Sequence, residues 1–365
     1  MKKPQHPSFY LQPGWVKTIR NASAAAENSG MLHPDQLAII YQQGWFKLLV
    51  PAIYSGREIS LPEMVRLEES ISWADGSVGW VVTLCSGAGW FGGFLAPQKA
   101  DIVFNNEQVC LAGSGAATGI ANITEAGYTI NGTWKYASGA HHATHFTANC
   151  IVKKGDETVL NEDGTALILP FIFDRKDVEL LPAWKYIGMM GTGSDAFNVT
   201  SLSVSDDNCF KIDSGSTVVN SSLYKYPFLQ LAEATLAVNI SGIAIHFIDL
   251  CALIFQEKQD QDKYLPDQKS TLNKTLEQLT NKLNVAREEF YKTVHLSWEV
   301  VQKAGNDDVW QDVSYKSHRL AKTARECVDQ LYPYCGLQAA NPESEINRVW
   351  RDIHTASQHS LLTFT

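Results

Sequence analysis

The sequence contains no Cys-x-x-Cys pair, no run of Lys and Arg, no uninterrupted apolar stretch of membrane length and no strand-to-helix Gly-x-Gly-x-x-Gly fingerprint. Each absence removes a class of function. Seven cysteines is an odd number and none is spaced for zinc, so neither a disulfide framework nor a metal centre is indicated and reduced thiols in a cytoplasm are expected. Thirty Lys and Arg against 39 Asp and Glu give a net charge of −9, with no cluster to neutralise a row of phosphates, so nucleic acid is not an expected partner. The residues from Met1 to Phe9 lack the apolar stretch of a leader. The most apolar segment, from Leu236 to Phe255, is interrupted by Asn239, His246 and Asp249, which reads as a buried helix of a soluble protein and excludes the membrane as a partner. Without the dinucleotide fingerprint, no nicotinamide-binding unit is expected in the chain.

What remains is 365 residues, 45% of them hydrophobic, enough for two or three domains. From Gly14 to about Asn106 the pattern is helical, with a start signal at Ser60-Leu61-Pro62-Glu63, where Ser60 and Glu63 can close a capping box. From 109 to about 210 the texture turns to short β-rich runs. Tyr128 to Ile130 and Thr133 to Tyr136 flank the turn pair Asn131-Gly132, and further runs lie near 146 to 152, 166 to 173 and 197 to 204. Helices return after Tyr224. Leu272, Leu276, Leu279, Leu283, Ala286 and Phe290 alternate in steps of four and three, and Leu320, Ala324, Cys327, Val328 and Leu331 share a second helical face.

The order helices, strands, helices predicts an α+β chain with boundaries near 1–108, 109–215 and 216–365, and a cleft where the layers meet. On the strand Tyr136-Ala137-Ser138, alternation places an aromatic ring and a hydroxyl on one face. Such a pair can offer a bound ring a hydroxyl contact and an aromatic wall; the bland reading is an ordinary alternating strand. His359 follows Asp352 by two helical turns, so Arg348, Asp352 and His359 can share a stripe facing one cleft, or simply a solvated helix face. His141, His142 and His145 have no acidic or cysteine ligand beside them in the motif, so no metal site is expected.

Four stretches resemble the acyl-CoA dehydrogenase superfamily, in particular its branch of two-component flavin monooxygenases. They are Ala74-Asp75-Gly76-Ser77-Val78-Gly79-Trp80; the segment from Gly127 to Ala143 with Tyr136-Ala137-Ser138-Gly139; Ile187-Gly188-Met189-Met190-Gly191-Thr192-Gly193-Ser194; and Leu331-Tyr332 with Gly336, then Arg348 to Ile353 and His359. The resemblance implies an N-terminal helical domain, a small β-barrel-like domain and a C-terminal four-helix bundle in a homotetramer. It also implies a flavin, FAD or FMN, supplied reduced by a separate reductase, and a small substrate, aromatic by analogy. By the same resemblance Ser138 and His359 are catalytic. Tyr136, Ser138, Gly139, Ser114, Thr192 and Ser194 hold the cofactor, and Trp80, His142 and Trp90 meet the substrate. Departures bear on substrate and cofactor form. Ala88 stands where aromatic hydroxylases carry a substrate-binding His, and the Arg-x-x-Phe-Gly signature of the dehydrogenases is missing around Phe255-Gln256-Glu257-Lys258, which removes a pyrophosphate partner and leaves FMN as open as FAD. Two alternatives follow: an acyl-CoA dehydrogenase with Glu233 as its base, since no Glu follows Glu345, and a flavin-binding scaffold without catalysis.

Overall fold

The computed structural model describes residues 4–213, 215–303, 305 and 308–363; Met1, Lys2 and Lys3, the start of the stretch read for a leader, lie outside them. Five helices come first: α1 (Pro13–Ser29), α2 (Pro34–Gln42), α3 (Leu61–Ala74), α4 (Gly76–Gly89) and α5 (Pro97–Phe104). Prolines open α1, α2 and α5, where the missing N–H costs no helical bond. The capping signal at α3 is used as read: the Ser60 N–H and hydroxyl both donate to Glu63 Oε2, at 3.1 and 2.6 Å. Asp75 separates α3 from α4 and caps the latter, its Oδ1 accepting the Val78 N–H at 2.9 Å. Beyond it Gly79 lies against Ser72 so closely that a Cβ would stand 2.1 Å from the serine oxygen. That contact locks α4, and with it Trp80 and Thr83, against α3.

The middle of the chain forms one sheet from β1 (Leu111–Thr124), β2 (Gly127–Ala137), β3 (His145–Lys154), β4 (Glu157–Thr158), β5 (Ile168–Asp174), β6 (Glu179–Leu181) and β7 (Asp195–Val204). The order is β4-β3-β1-β2-β7-β6, with β5 also on β3; β1 and β3 run parallel and the other pairs antiparallel. The expected turn at Asn131-Gly132 is not there. Those residues lie inside the continuous β2, and the chain reverses at Glu125 and Ala126 instead. Asn131 Oδ1 accepts the Ser201 N–H at 2.8 Å, and a Cβ on Gly132 would come within 2.6 Å of the Trp134 ring. The pair serves a bulge and a close packing contact rather than a hairpin.

Helices then resume as α6 (Ser222–Lys225), α7 (Phe228–Gln259), α8 (Pro266–Gln302), α9 (Val309–Leu331), α10 (Glu345–Ala356) and α11 (Ser360–Thr363). The apolar helix α7 is long enough to cross a membrane, but 78% of its most apolar window is buried inside the protein, where it packs on α3, α4, α8, α9 and α10. On α8 the seam buries Leu272, Leu279, Leu283, Ala286 and Phe290, and all five residues of the α9 face are buried, each large apolar side chain contributing about 1.5–3 kcal/mol. Helices from both ends of the chain share one continuous hydrophobic core, and the sheet holds a second around Trp134, Phe146, Phe171 and Phe197.

Candidate active site

Where the sheet meets the helices lies a cavity of about 240 Å³. Its walls are the Thr83, Leu84 and Ala88 stripe of α4 with Phe91, the first residues of β1 including Ser114, the β3 residues Thr147 to Asn149, the Phe228, Leu231 and Thr235 face of α7, and Ser138, His359 and Leu361. The lining is mainly apolar, with a few convergent polar groups, the composition of a small-molecule site.

Ser138 reaches it because β2 ends irregularly. The register slips between Trp134 and Ala137, and Tyr136 takes a φ of 68°. Strict alternation therefore fails. Ser138 is buried, whereas Tyr136 is 56% exposed and stands outside the cavity in a surface aromatic group, its hydroxyl 3.1 Å from that of Tyr186 and its ring edge-on to Trp184. Tyr136 and Ser138 therefore do not share the face that alternation predicts.

The loop from 187 to 194 completes the arrangement. Gly139 N–H donates to Thr192 O at 2.9 Å, and the Thr192 hydroxyl donates to Met189 O at 2.7 Å. That hydrogen being committed, Thr192 Oγ1 accepts from Ser194 (2.7 Å), and Ser194 Oγ in turn accepts from Ser138 (2.8 Å). Trp80 Nε1–H donates to Ser138 Oγ at 3.1 Å. A hydroxyl has one donor and two acceptor positions. The relay consumes the Ser138 proton and one lone pair, so the remaining lone pair makes Ser138 an acceptor toward the cavity.

His359 lines the same cavity, its ring centroid 5.9 Å from that of Trp80. Burial lowers its pKa, favouring a neutral ring, and Nδ1 accepts the Leu361 N–H at 3.3 Å, which leaves the proton on Nε2 as a donor. The expected helical stripe of Arg348, Asp352 and His359 does not form: α10 stops at Ala356 and His359 sits in the turn before α11. Asp352 is buried elsewhere, accepting the Met189 N–H through Oδ1 at 2.5 Å. Arg351 holds the same loop through Ile187 O at 2.6 Å and is paired with Glu27.

The remaining expected site residues are dispersed. Ser194, Gly139 and Trp80 lie one contact behind Ser138, and Thr192 one further back, rather than on the cavity lining. Trp90 is fully buried, donates to Leu223 O at 2.9 Å and backs the wall by stacking on Phe228. His142 lies in the turn after Gly139, outside the lining, its pKa lowered by burial to about 4. His141 and His145 face Asp195 and Asp174 separately. Glu233 shares α7 with the cavity wall but not its face: its Oε1 lies 3.3 Å from His318 Nε2, and it does not line the cavity. The string Gly87-Ala88-Gly89-Trp90-Phe91-Gly92 has dinucleotide-like glycine spacing, yet it occupies the end of α4 and the following turn, with no strand before it. Sequence reading missed Thr83, Phe91, Asn149 and Phe228. The helical spacing of 83, 84, 87, 88 and 91 was the available signal for the first two.

Residues 234–364, which include the α7 wall of the cavity and His359, match the profile of the family described as "Acyl-CoA dehydrogenase, C-terminal domain". Over nearly its whole length the chain is similar to flavin-dependent monooxygenases. It is 24% identical to the oxygenase subunit HsaA of Rhodococcus jostii, over 94% of this chain and 92% of the relative. It is 26% identical to indole-3-acetate monooxygenase of Pseudomonas putida, over 90% and 83%. The fold matches that of XiaF from Streptomyces sp., solved with FADH2 and glycerol, at a TM-score of 0.84 and 19% identity over 96% of this chain and 89% of that one. The resemblance read from the four motifs is borne out, and with it a flavin-dependent oxidoreductase.

Proposed function

We propose that this protein is the oxygenase component of a two-component monooxygenase that takes reduced flavin and O2 to hydroxylate a small, apolar, aromatic substrate. The observation that carries the reading is the hydroxyl relay from Thr192 through Ser194 to Ser138, which leaves Ser138 an acceptor. Reduced flavin presents an N–H at N5 where oxidised flavin presents a bare nitrogen, so a fixed acceptor fits the reduced form. Reduced flavin supplies the two electrons with which O2 is divided between product and water.

The chain's own groups do the rest. Ser138 would hold the ring nitrogen's hydrogen, the neutral His359 would offer its Nε2–H to oxygen in the cavity, and the apolar walls would exclude water that would carry oxygen away as peroxide. Ser114 would provide a further polar contact on the lining, Tyr136 an aromatic face outside the cavity, and Gly139 the close approach of the strand end. Trp80, beside both Ser138 and His359, together with the Trp90-backed wall, orients the substrate; His142 supports the turn that carries Ser138. Ala88 leaves room for the substrate where a larger polar side chain would fill the cavity.

The relatives' names support a separate reductase, since HsaA is named an oxygenase subunit. A cytoplasmic homotetramer with units at 1–108, 109–215 and 216–365 completes the proposal. The test supplies reduced FMN or FAD from an added reductase and measures product against hydrogen peroxide released, beside anaerobic titration with reduced and oxidised flavin. Ser138→Ala should lower product per flavin about tenfold, the worth of one hydrogen bond of ~1.4 kcal/mol, with peroxide rising in step and the preference for reduced flavin lost. His359→Ala should uncouple without changing that preference. Equal binding of both flavin states by the unaltered protein would defeat the reading.

A further inference from the structure

Away from the cavity, Cys251 of α7 and Cys335, in the turn after α9, place their sulfurs 3.3 Å apart, and both residues are buried. Neither lines the cavity, and nothing in the proposed oxygen chemistry uses them. A disulfide holds its sulfurs at about 2.05 Å, little more than an ångström closer. Their surroundings are unequal. With the Cys335 thiol donating to Leu331 O at 3.5 Å, the Cys251 thiol is left to donate to Cys335 Sγ; Cys251 is pushed up by burial, whereas Cys335 is lowered by that hydrogen bond, against burial and with help from the Lys258 ammonium. Lys258 lies two turns after Cys251 on α7 and donates to Tyr334 O, the residue before Cys335. One thiol is thus prepared as a nucleophile and the other as its resolving partner.

We propose that Cys251 and Cys335 are a peroxide-oxidised pair that closes reversibly into a disulfide. The Cys335 thiolate attacks hydrogen peroxide, the O–O bond breaks, and hydroxide leaves to become water, giving Cys335 sulfenic acid. Cys251, losing its proton, attacks the Cys335 sulfur; the S–O bond breaks and a second water leaves. Two thiols have then given two electrons to one peroxide. The bond ties α7 to the root of the segment that carries His359: past Gly336, Ala339 O accepts from Asn347 Nδ2 at 2.7 Å, and α10 continues to the Arg351 and Asp352 contacts. Wasted turnover of the proposed oxygenase would release the oxidant from the same protein molecule. The chemistry accepts peroxide from any source, so its failure leaves the functional reading intact.

The experiment treats the reduced, full-length protein with hydrogen peroxide, alkylates free thiols under denaturing conditions and maps the peptides. Two of the seven thiols should disappear into a peptide pair joining Cys251 to Cys335 and return with dithiothreitol, and the oxidised protein should melt several degrees higher because its unfolded chain is tethered. Cys251→Ser should trap Cys335 as a sulfenic acid that dimedone labels, whereas Cys335→Ser should leave Cys251 unlabelled. Should either variant fail to fold, the peptide map of the unaltered chain decides alone. Seven free thiols after treatment, a bridge between other cysteines, or Cys335 passing to sulfinic acid without a bridge would each overturn the proposal.

Discussion

Asp352 holds its proton to a higher pH than its sequence neighbours announce. Burial raises its pKa to about 7, with the nearby Asp75 adding to the effect and the Met189 N–H opposing it, whereas in an unfolded chain an aspartic acid ionises near ~3.9. Between those two values the native state holds more protons than the unfolded state, so stability falls as pH rises through the window and levels off above pH ~7. Asp352→Asn keeps the oxygen that accepts from Met189 and removes the titration. Urea unfolding from pH 4 to 8 should show the unaltered protein losing stability relative to the variant up to neutrality, then running parallel to it. Parallel curves throughout would mean that Asp352 is already ionised in the fold. The same burial keeps His359 neutral, which is why it can serve as a donor through one nitrogen only.

At the scale of elements, local signals were legible and long-range ones were not. The Ser60 and Glu63 box and the α8 and α9 faces depend on residues within a turn or two of each other, and they stand where the sequence puts them. The strand β1 is Gly- and Ala-rich and carries little β propensity of its own; pairing with β2 and β3 makes it a strand, and it contributes Ser114 to the cavity. Tyr136 and Ser138 part company because of a bulge that no spacing rule encodes, and the break after Ala356 moves His359 off the α10 face. The motif from 187 to 194 was visible as a resemblance, but its task is seen only in contact with α10. There Gly188 passes so close to the helix that a Cβ would lie 2.2 Å from Arg351 O and 2.4 Å from its carbonyl carbon. Both atoms are backbone, so Gly188→Ala must push the loop and α10 apart, at about 1–3 kcal/mol. Thermal melting should drop accordingly, and because Thr192 and Ser194 lie on the displaced loop, coupling of flavin oxidation to product should fall with it. A variant that melts lower yet stays fully coupled would separate this contact from the relay.

Across the whole molecule, the helices before and after the sheet are joined by a buried ionic cluster. Glu69 of α3 receives Arg287 of α8 through both carboxylate oxygens, at 2.9 and 2.7 Å, and also the hydroxyls of Tyr291 (2.7 Å) and Ser241 (2.6 Å). Arg287 reaches on to Gln5 O at 2.9 Å, so one guanidinium touches the N-terminal segment, α3 and α8. Both charged side chains are 3% exposed. Removing one partner strands the other charge in the core, which costs about 3–5 kcal/mol, whereas replacing both by apolar side chains of similar volume is often neutral. Glu69→Leu alone should therefore lower the denaturation midpoint sharply, and Glu69→Leu combined with Arg287→Met should recover most of the loss. If the two ends share one core as the packing indicates, fluorescence from Trp73 near the N-terminal helices and from Trp298 on α8 should lose structure in the same transition in the single variant. Two separated transitions would mean that the helical halves unfold independently and that the cluster bridges units rather than welding a single one.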